Sequence, residues 1–298
     1  CFRDEDPRAD RSPGEFYQLD FEMSFVTQED VFDVLETIIP NIFEKNTDWK
    51  VERGPFKRIP YKEAMEKYGT DKPDLRNPLI INDVSNVFAG TDFNAFKDKT
   101  VKAIIVENMN EKPRKFFDSM SEYAVQELEA KGLAWVKIDE NMELNGGISK
   151  FIDEDRKNKI FELLEAKANS AIFFIADEFE KAQKIAGGVR IELGKRLDLL
   201  EKDIYKFCLI VDFPMYELSD EGTIDFNHNP FSMPQGGMES LLTKDPLDIY
   251  AYQYDLVCNG YELASGAVRN HDQDIMIKAF EIAGYTEQDV KEKFGALF

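Results

Sequence analysis

At 298 residues, 43% hydrophobic and 32% charged, the chain has an ordinary globular composition and is long enough for two domains or one with a large insertion. Its net charge of -21 excludes a broad non-specific nucleic-acid surface, because phosphate binding is driven by Lys and Arg releasing counterions. The cysteines, Cys1, Cys208 and Cys258, have neither metal-ligand spacing nor a disulfide framework, which points to a reducing cytoplasm, and no apolar run approaches the roughly 18 residues of a membrane-spanning helix.

The chain opens on Cys1, with no Met and no signal-like segment, as an internal stretch of a longer protein would. Residues 1–25 read as a β-hairpin: a first arm over 1–6, a polar loop over 7–14 and a second arm over 15–25. In the second arm Tyr17, Leu19, Phe21, Met23 and Phe25 alternate with Gln18, Asp20 and Glu22. Thr27-Gln28-Glu29-Asp30 is a capping box, followed by Val31, Val34, Leu35, Ile38 and Ile39 at helical spacing. Residues 54–78 read as coil punctuated by Pro and Gly.

From about residue 90 strands and helices alternate. Strands are expected at 101–106, 133–138 and 171–176, and helices from Pro113 to Gly132 and over 154–168. Two further helical stretches reach Asp203, with Gly187-Gly188 as a helix break between them; no Walker lysine follows to make it a phosphate loop. This α+β module reads as an insertion over 91–206, between a first part at 1–90 and a second at 207–298. A strand at 207–213 resumes the first texture. Strands at 254–257 and 262–264 flank Asn259-Gly260, the strongest short hairpin signal. Asp272 and Thr286 each cap a helix, the first ending at Gly284.

Period two puts Arg3 and Glu5 on one face of the first arm, and that face could join the one carrying Gln18, Asp20 and Glu22. An Arg fixed on a strand can grip a phosphate, and carboxylates beside it can receive an ammonium or a base amino group. The same alternation also describes a plain solvated face, and periodicity does not separate the two. A two-residue turn at Asn259-Gly260 pairs Val257 with Glu262 and leaves Asp255 diagonal to Glu262 on the same face, on the order of 7–8 Å away. Such a pair can share Mg²⁺, or be two exposed acids. Arg269 could bind a carboxylate. His228 sits in a turn-rich loop where a ligand-facing role is not forced, and His271 precedes a helix.

The run from Cys1 to Arg11, followed by Glu15-Phe16-Tyr17-Gln18-Leu19-Asp20, resembles motif 2 of aspartyl-tRNA synthetases. Asp71-Lys72-Pro73-Asp74-Leu75-Arg76, Phe213-Pro214-Met215, Asn229-Pro230-Phe231, Asn259-Gly260-Tyr261-Glu262 with Val268-Arg269, and Lys291-Glu292-Lys293-Phe294-Gly295 resemble that family's later landmarks, in order. The module in the middle is similar to the insertion domain of bacterial-type members, shared with a tRNA amidotransferase subunit. The resemblance implies an α+β fold: an antiparallel class II synthetase core flanked by helices, with an inserted α+β domain.

It implies ATP-dependent activation of L-aspartate to aspartyl-adenylate, transfer to aspartate tRNA and in some members asparagine tRNA, Mg²⁺ with ATP, and a cytoplasmic homodimer off the membrane. Arg3 would contact the α-phosphate and stabilise its charge, and Glu5 would read the adenine amino group. Gln18 would lie near ATP and aspartate, Asp20 near the aspartate ammonium, and His228 in the aspartate site. Asp255 and Glu262 would hold Mg²⁺ and ATP, and Arg269 would clamp the substrate side-chain carboxylate. The departures are Asn229 in place of a second histidine, Ala264-Ser265-Gly266 in place of a glycine triplet, and Gly14 lengthening the hairpin loop. The family places motif 1 and the anticodon-binding barrel before Cys1 and motif 3 after Phe298. The expectation is therefore a weak or inactive enzyme when this chain stands alone. The alternative is a non-catalytic fragment that binds tRNA or a partner through the inserted module.

Overall fold

In the computed structural model, which describes residues 15–219 and 221–295, the first regular element is the helix Gln28–Asn46. Its capping box forms as expected: the Thr27 hydroxyl accepts from the Asp30 N–H, and the Thr27 N–H donates to Asp30 Oδ2 at 2.7 Å. The buried stripe centres on Phe32 and Leu35, with Val31, Ile39 and Phe43 at its margins, while Ile38 is exposed. Residues 16–25, expected as a strand, carry none, and Tyr17, Leu19, Phe21, Met23 and Phe25 are all exposed. Alternation alone does not hold a strand, since its backbone bonds all go to a neighbour. The expected first arm and loop, 1–14, lie outside the described residues.

The chain divides into two units, Cys1–Lys62 with Asp203–Phe298, and Glu63–Lys202. The first is built on a four-stranded sheet in the order Tyr261–Ala267, Gln253–Cys258, Phe207–Val211, Lys57–Pro60; the last pair is parallel and the others antiparallel. The strand Lys57–Pro60 and the helix Tyr61–Tyr68 fall in a stretch expected to be coil. Four residues around a proline are too few for a period-two signal, and it is the parallel register with Phe207–Val211 that orders them. One sheet face packs Phe207, Leu209, Val211, Tyr254, Leu256 and Cys258 against Phe32 and Leu35, with the Phe32 and Tyr254 rings edge to face at 4.9 Å. A second apolar cluster gathers Met215, Tyr216, Leu241, Ile249, Ala251 and Ala279, where the buried Tyr216 hydroxyl donates to the Ala279 carbonyl at 2.9 Å. Burial without a charged partner pushes that phenol pKa up. The capped helices Gln273–Ile282 and Glu287–Phe294 close this side.

The second unit is a five-stranded antiparallel sheet in the order Ile81–Asp83, Thr100–Val106, Ser170–Asp177, Ala134–Ile138, Leu144–Asn145. Both faces are covered, so its central strand is apolar from Ala171 to Ala176: Ala171, Phe173 and Ile175 enter one core, and Ile172 and Phe174 the other. The helices Arg114–Glu127 and Glu154–Leu163 end earlier than their apolar patterns suggest. Each is stopped by a glutamate in the left-handed region, Glu129 (φ 55°) and Glu165 (φ 48°), and after the second the Ala166 N–H bonds back to the Phe161 carbonyl. Glycine is the usual residue there, so these stops are silent in sequence.

Gly187-Gly188 breaks nothing. Both lie inside one continuous helix, Phe179–Arg196. A Cβ on Gly187 would sit 2.6 Å from the Gly69 carbonyl oxygen, and one on Gly194 2.4 Å from Asn77 Nδ2. These glycines let residues 69–77 cross close to the helix, backbone to backbone at Gly187 and through the Asn77 side chain at Gly194. Three residues past Gly187, the fully buried Arg190 donates to the carbonyls of Leu79 (2.6 Å), Asn77 (2.8 Å) and Asp74 (3.1 Å), while the Asn77 amide returns a bond to the Arg190 carbonyl at 3.0 Å. Within the same segment Arg76 pairs with Asp74 at 2.7 Å. The fold is α+β, with antiparallel-rich sheets flanked by helices, and no helix among the described residues is long and apolar enough to cross a membrane.

Phe32→Ala should destabilise the first unit by about 3–5 kcal/mol in urea unfolding, the range for emptying a buried phenylalanine site. Gly→Ala inside a helix ordinarily stabilises by up to about 1 kcal/mol. Gly187→Ala should reverse that sign and cost about 1–3 kcal/mol, because the atom it meets is backbone. Gly188→Ala, which meets only the end of the Leu128 side chain, should cost less.

Candidate functional site: an acid pair and an arginine along one hairpin

Asn259 and Gly260 both adopt positive φ, 51° and 89°, as a two-residue hairpin turn requires. Asn259 also anchors the turn: its side-chain oxygen accepts from the Lys206 N–H and its amide donates to the Ile204 carbonyl, both at 3.0 Å. The expected register follows, Cys258 opposite Tyr261 and Val257 opposite Glu262. Beyond it the ladder shifts. Leu256 pairs with Ala264 and Asp255 with Ser265, leaving Leu263 as the extra residue of a β-bulge. The unbroken ladder expected from the turn would have set Asp255 opposite Ala264.

The bulge determines which side chains share a face. Tyr254, Leu256 and Cys258 face the Phe32 helix, and Ala264 packs with them. Gly266 is on that side too, since a Cβ there would lie 2.3 Å from the Tyr254 hydroxyl. Asp255, Val257, Glu262 and Ser265 therefore belong to the other face. Glu262 and Arg269 are seven residues apart, an odd number that on a regular strand puts them on opposite faces. The extra residue corrects the count. Ala267 pairs with Gln253, the next residue on the Asp255 face, and Arg269 follows two further along.

Past the hairpin, residues 231–235 wedge between 250–252 and 268–270. Met233 N–H donates to the Val268 carbonyl (2.8 Å), Tyr252 N–H to Met233 (2.9 Å), Val268 N–H to Tyr252 (2.8 Å) and Asn270 N–H to Phe231 (2.8 Å), and Ser232 bridges to Arg269. This extension places the loop of His228 and Asn229 on the strand of Arg269. His228 is exposed, its ring edge-on to Phe213 at 5.1 Å and to Tyr61 at 6.2 Å. Asn229 closes the turn by accepting the Phe231 N–H at 3.0 Å, a structural use for the residue that stands in place of a second histidine.

Arg269 already engages a carboxylate, donating to Glu22 at 2.8 Å. Both side chains are largely exposed, so the pair contributes little to stability, but it brings the 15–25 segment to the end of the hairpin. Gln18 and Asp20, on that segment, are exposed coil residues. Arg3 and Glu5 lie outside the described residues. Asp255 is buried and Glu262 half-buried.

No group of three or more His, Cys, Asp or Glu able to hold a metal occurs among the described residues. Two carboxylates on one sheet face do not make a closed metal cage. They do fit Mg²⁺, which takes one or two carboxylates and fills its remaining positions with water and substrate phosphates. Ser232 was not a sequence candidate: it is fully buried, opposite Arg269, and its hydroxyl has no hydrogen-bond partner. Only the strand pairing, which sequence spacing does not report, brings it to the site.

The family model of class II tRNA synthetases (D, K and N) matches residues 1–298. The chain is 53% identical over 298 residues to the aspartate–tRNA ligase of Streptomyces coelicolor, covering 100% of this chain and 51% of that relative. It is equally, 53%, identical over 307 residues to the aspartate–tRNA(Asp/Asn) ligase of Rickettsia akari, again covering 100% of the chain and 51% of the relative. The chain thus spans about half the length of these relatives.

Proposed function

As the chain belongs to the class II tRNA synthetases (D, K and N), we propose that it forms the ATP and aspartate site of an aspartate–tRNA ligase in the cytoplasm. The observation that carries this reading is the hairpin that sets Asp255, Glu262 and Arg269 along one face. Aspartate would attack the α-phosphorus of ATP in line, forming aspartyl-adenylate and releasing pyrophosphate, and the aspartyl group would then pass to the tRNA 3′ end. Arg3 would hold the α-phosphate and Glu5 the adenine amino group, with Gln18 and Asp20 beside the ammonium. Arg269 would release the single bond to Glu22 and take the substrate side-chain carboxylate with both prongs of its guanidinium. His228 would border the same carboxylate. Bound Mg²⁺, held by Asp255 and Glu262, would neutralise phosphate charge. The remaining work is positioning and charge stabilisation without a covalent enzyme intermediate. The unit Glu63–Lys202 would contain the inserted module.

The test is aspartate-driven ATP–pyrophosphate exchange in a full-length ligase that carries this sequence, with the substitutions made there. Asp255→Asn should lower kcat/KM for exchange by about 100-fold or more, the loss expected when a charge-stabilising group is removed. An unchanged rate would sink the assignment of that residue. Arg269→Lys should lower the preference for aspartate over asparagine by about ten-fold or more, because lysine lacks the two-pronged contact; an intact preference would remove Arg269 from specificity. The relatives of both printed names match at the same identity, so charging of aspartate and asparagine tRNAs decides between them.

A further inference from the structure

Asparagine followed by glycine occurs twice in the chain, at Asn145-Gly146 and Asn259-Gly260. The pair is chemically labile, because the backbone nitrogen after an asparagine can attack its side-chain amide carbon, and glycine leaves that nitrogen unhindered. The two copies stand in opposite surroundings. Asn259 is buried, and both ends of its amide are tied to backbone, Oδ1 to the Lys206 N–H and Nδ2 to the Ile204 carbonyl. Asn145 is exposed on the edge strand Leu144–Asn145 of the second unit. Among the described residues only its Nδ2 is engaged, donating to Asp139 Oδ2 at 2.8 Å and to the Glu143 carbonyl at 3.4 Å.

The nucleophile is accessible as well. Antiparallel pairs alternate between hydrogen-bonded and open, and the bond from the Asp139 N–H to the Glu143 carbonyl makes Lys137 and Asn145 the next bonded pair. The N–H that follows, on the exposed Gly146, therefore points away from the sheet. Packing demands the glycine there: a Cβ on Gly146 would lie 2.8 Å from the Trp135 ring, and one on Gly147 would collide with the Trp135 carbonyl. The turn that covers Trp135 thus keeps an unhindered nitrogen beside an exposed amide.

We propose that Asn145 is a self-modification site of the second unit, deamidated by its own backbone while Asn259 is spared. The Gly146 nitrogen bonds to Asn145 Cγ and gives up its proton, the Cγ–Nδ2 bond breaks, and Nδ2 leaves as ammonia from a closed imide ring. Water then opens either imide carbonyl, giving aspartate or the isomer whose main chain runs through the former side chain. Nothing is oxidised or reduced, and water is the only reagent. The amide nitrogen departs only after gaining a proton, and the Asp139 carboxylate stabilises the charge it then carries. That carboxyl is held below its ordinary range, chiefly by the Glu143 N–H, so it stays ionised. Either product sets a second carboxylate against Asp139 where an N–H stood, and the isomer also lengthens the main chain across the Lys137–Asn145 pair.

The test is peptide mapping by mass spectrometry of the full chain incubated at mildly alkaline pH, folded and in urea. In the folded chain residue 145 should convert to aspartate and isoaspartate about ten-fold or more faster than residue 259, the factor for first breaking the two bonds that hold Asn259. In urea both should convert. Asn145→Gln should abolish the conversion at 145, because the longer side chain closes a larger ring. Asn145→Asp, made directly, should melt about 2–4 °C below the parent chain; an unchanged midpoint would overturn the loosening of the turn. An intact Asn145 in the folded chain, alongside conversion in urea, would overturn the proposal. Equal rates at the two asparagines in the folded chain would overturn it too, since the surroundings would then decide nothing.

Discussion

A strand alternates its side chains with period two, so an odd separation along it assigns two residues to opposite faces. Glu262 and Arg269 violate that parity and share a face only because Leu263 is inserted without a partner. The bulge thus keeps two surfaces in phase. On one, Ala264 and Gly266 fit against Tyr254 and the Phe32 helix; the other carries Asp255, Glu262, Ser265 and Arg269. A regular ladder would turn Ser265 into the apolar core and give Asp255 an alanine for a neighbour. The small residues at 264 and 266 accordingly allow close packing on the helix side.

The second unit is organised around a similar close approach. Gly187 and Gly194 remove the side chains that would hold residues 69–77 away from the helix Phe179–Arg196, and Arg190 then fills the space with a guanidinium spread over three carbonyls. The segment carrying Asp71, Lys72, Asp74 and Arg76 is fixed through its backbone carbonyls and by its own side-chain pairs, Lys72 with Asp71 and Arg76 with Asp74.

Much of this was legible beforehand. The capping boxes at Thr27 and Thr286, the central strands and the Asn259-Gly260 hairpin each rest on local chemistry that needs no partner to be read. What escaped depends on tertiary contact. The bulge at Leu263 has no sequence mark, so the turn alone gives Asp255 and Glu262 a common face but not the pairing of Asp255 with Ser265. Gly187-Gly188 looked like a break because the pattern shows the missing side chain and not the backbone that fills its place. The site residues of known chemical type were visible as candidates; Ser232 became visible only through its pairing with Arg269.

Arg190 has a further consequence, for alkaline behaviour. It is buried among carbonyls with no carboxylate bonded to its guanidinium, and desolvation lowers its pKa to about 10 from the 12.5 of a free arginine. Below that folded-state value the proton is bound in both folded and unfolded chains, and the cost of burying the charge is carried in full. Between the two values the unfolded chain holds the proton more tightly, so this group alone makes stability rise with pH. Where most buried ion pairs fail in strong base as their lysines lose charge, this arginine is relieved by it. Its Nε and Nη2 groups reach three carbonyls at once, a spread no neutral side chain of that reach supplies, while Nη1 is buried without a hydrogen-bond partner.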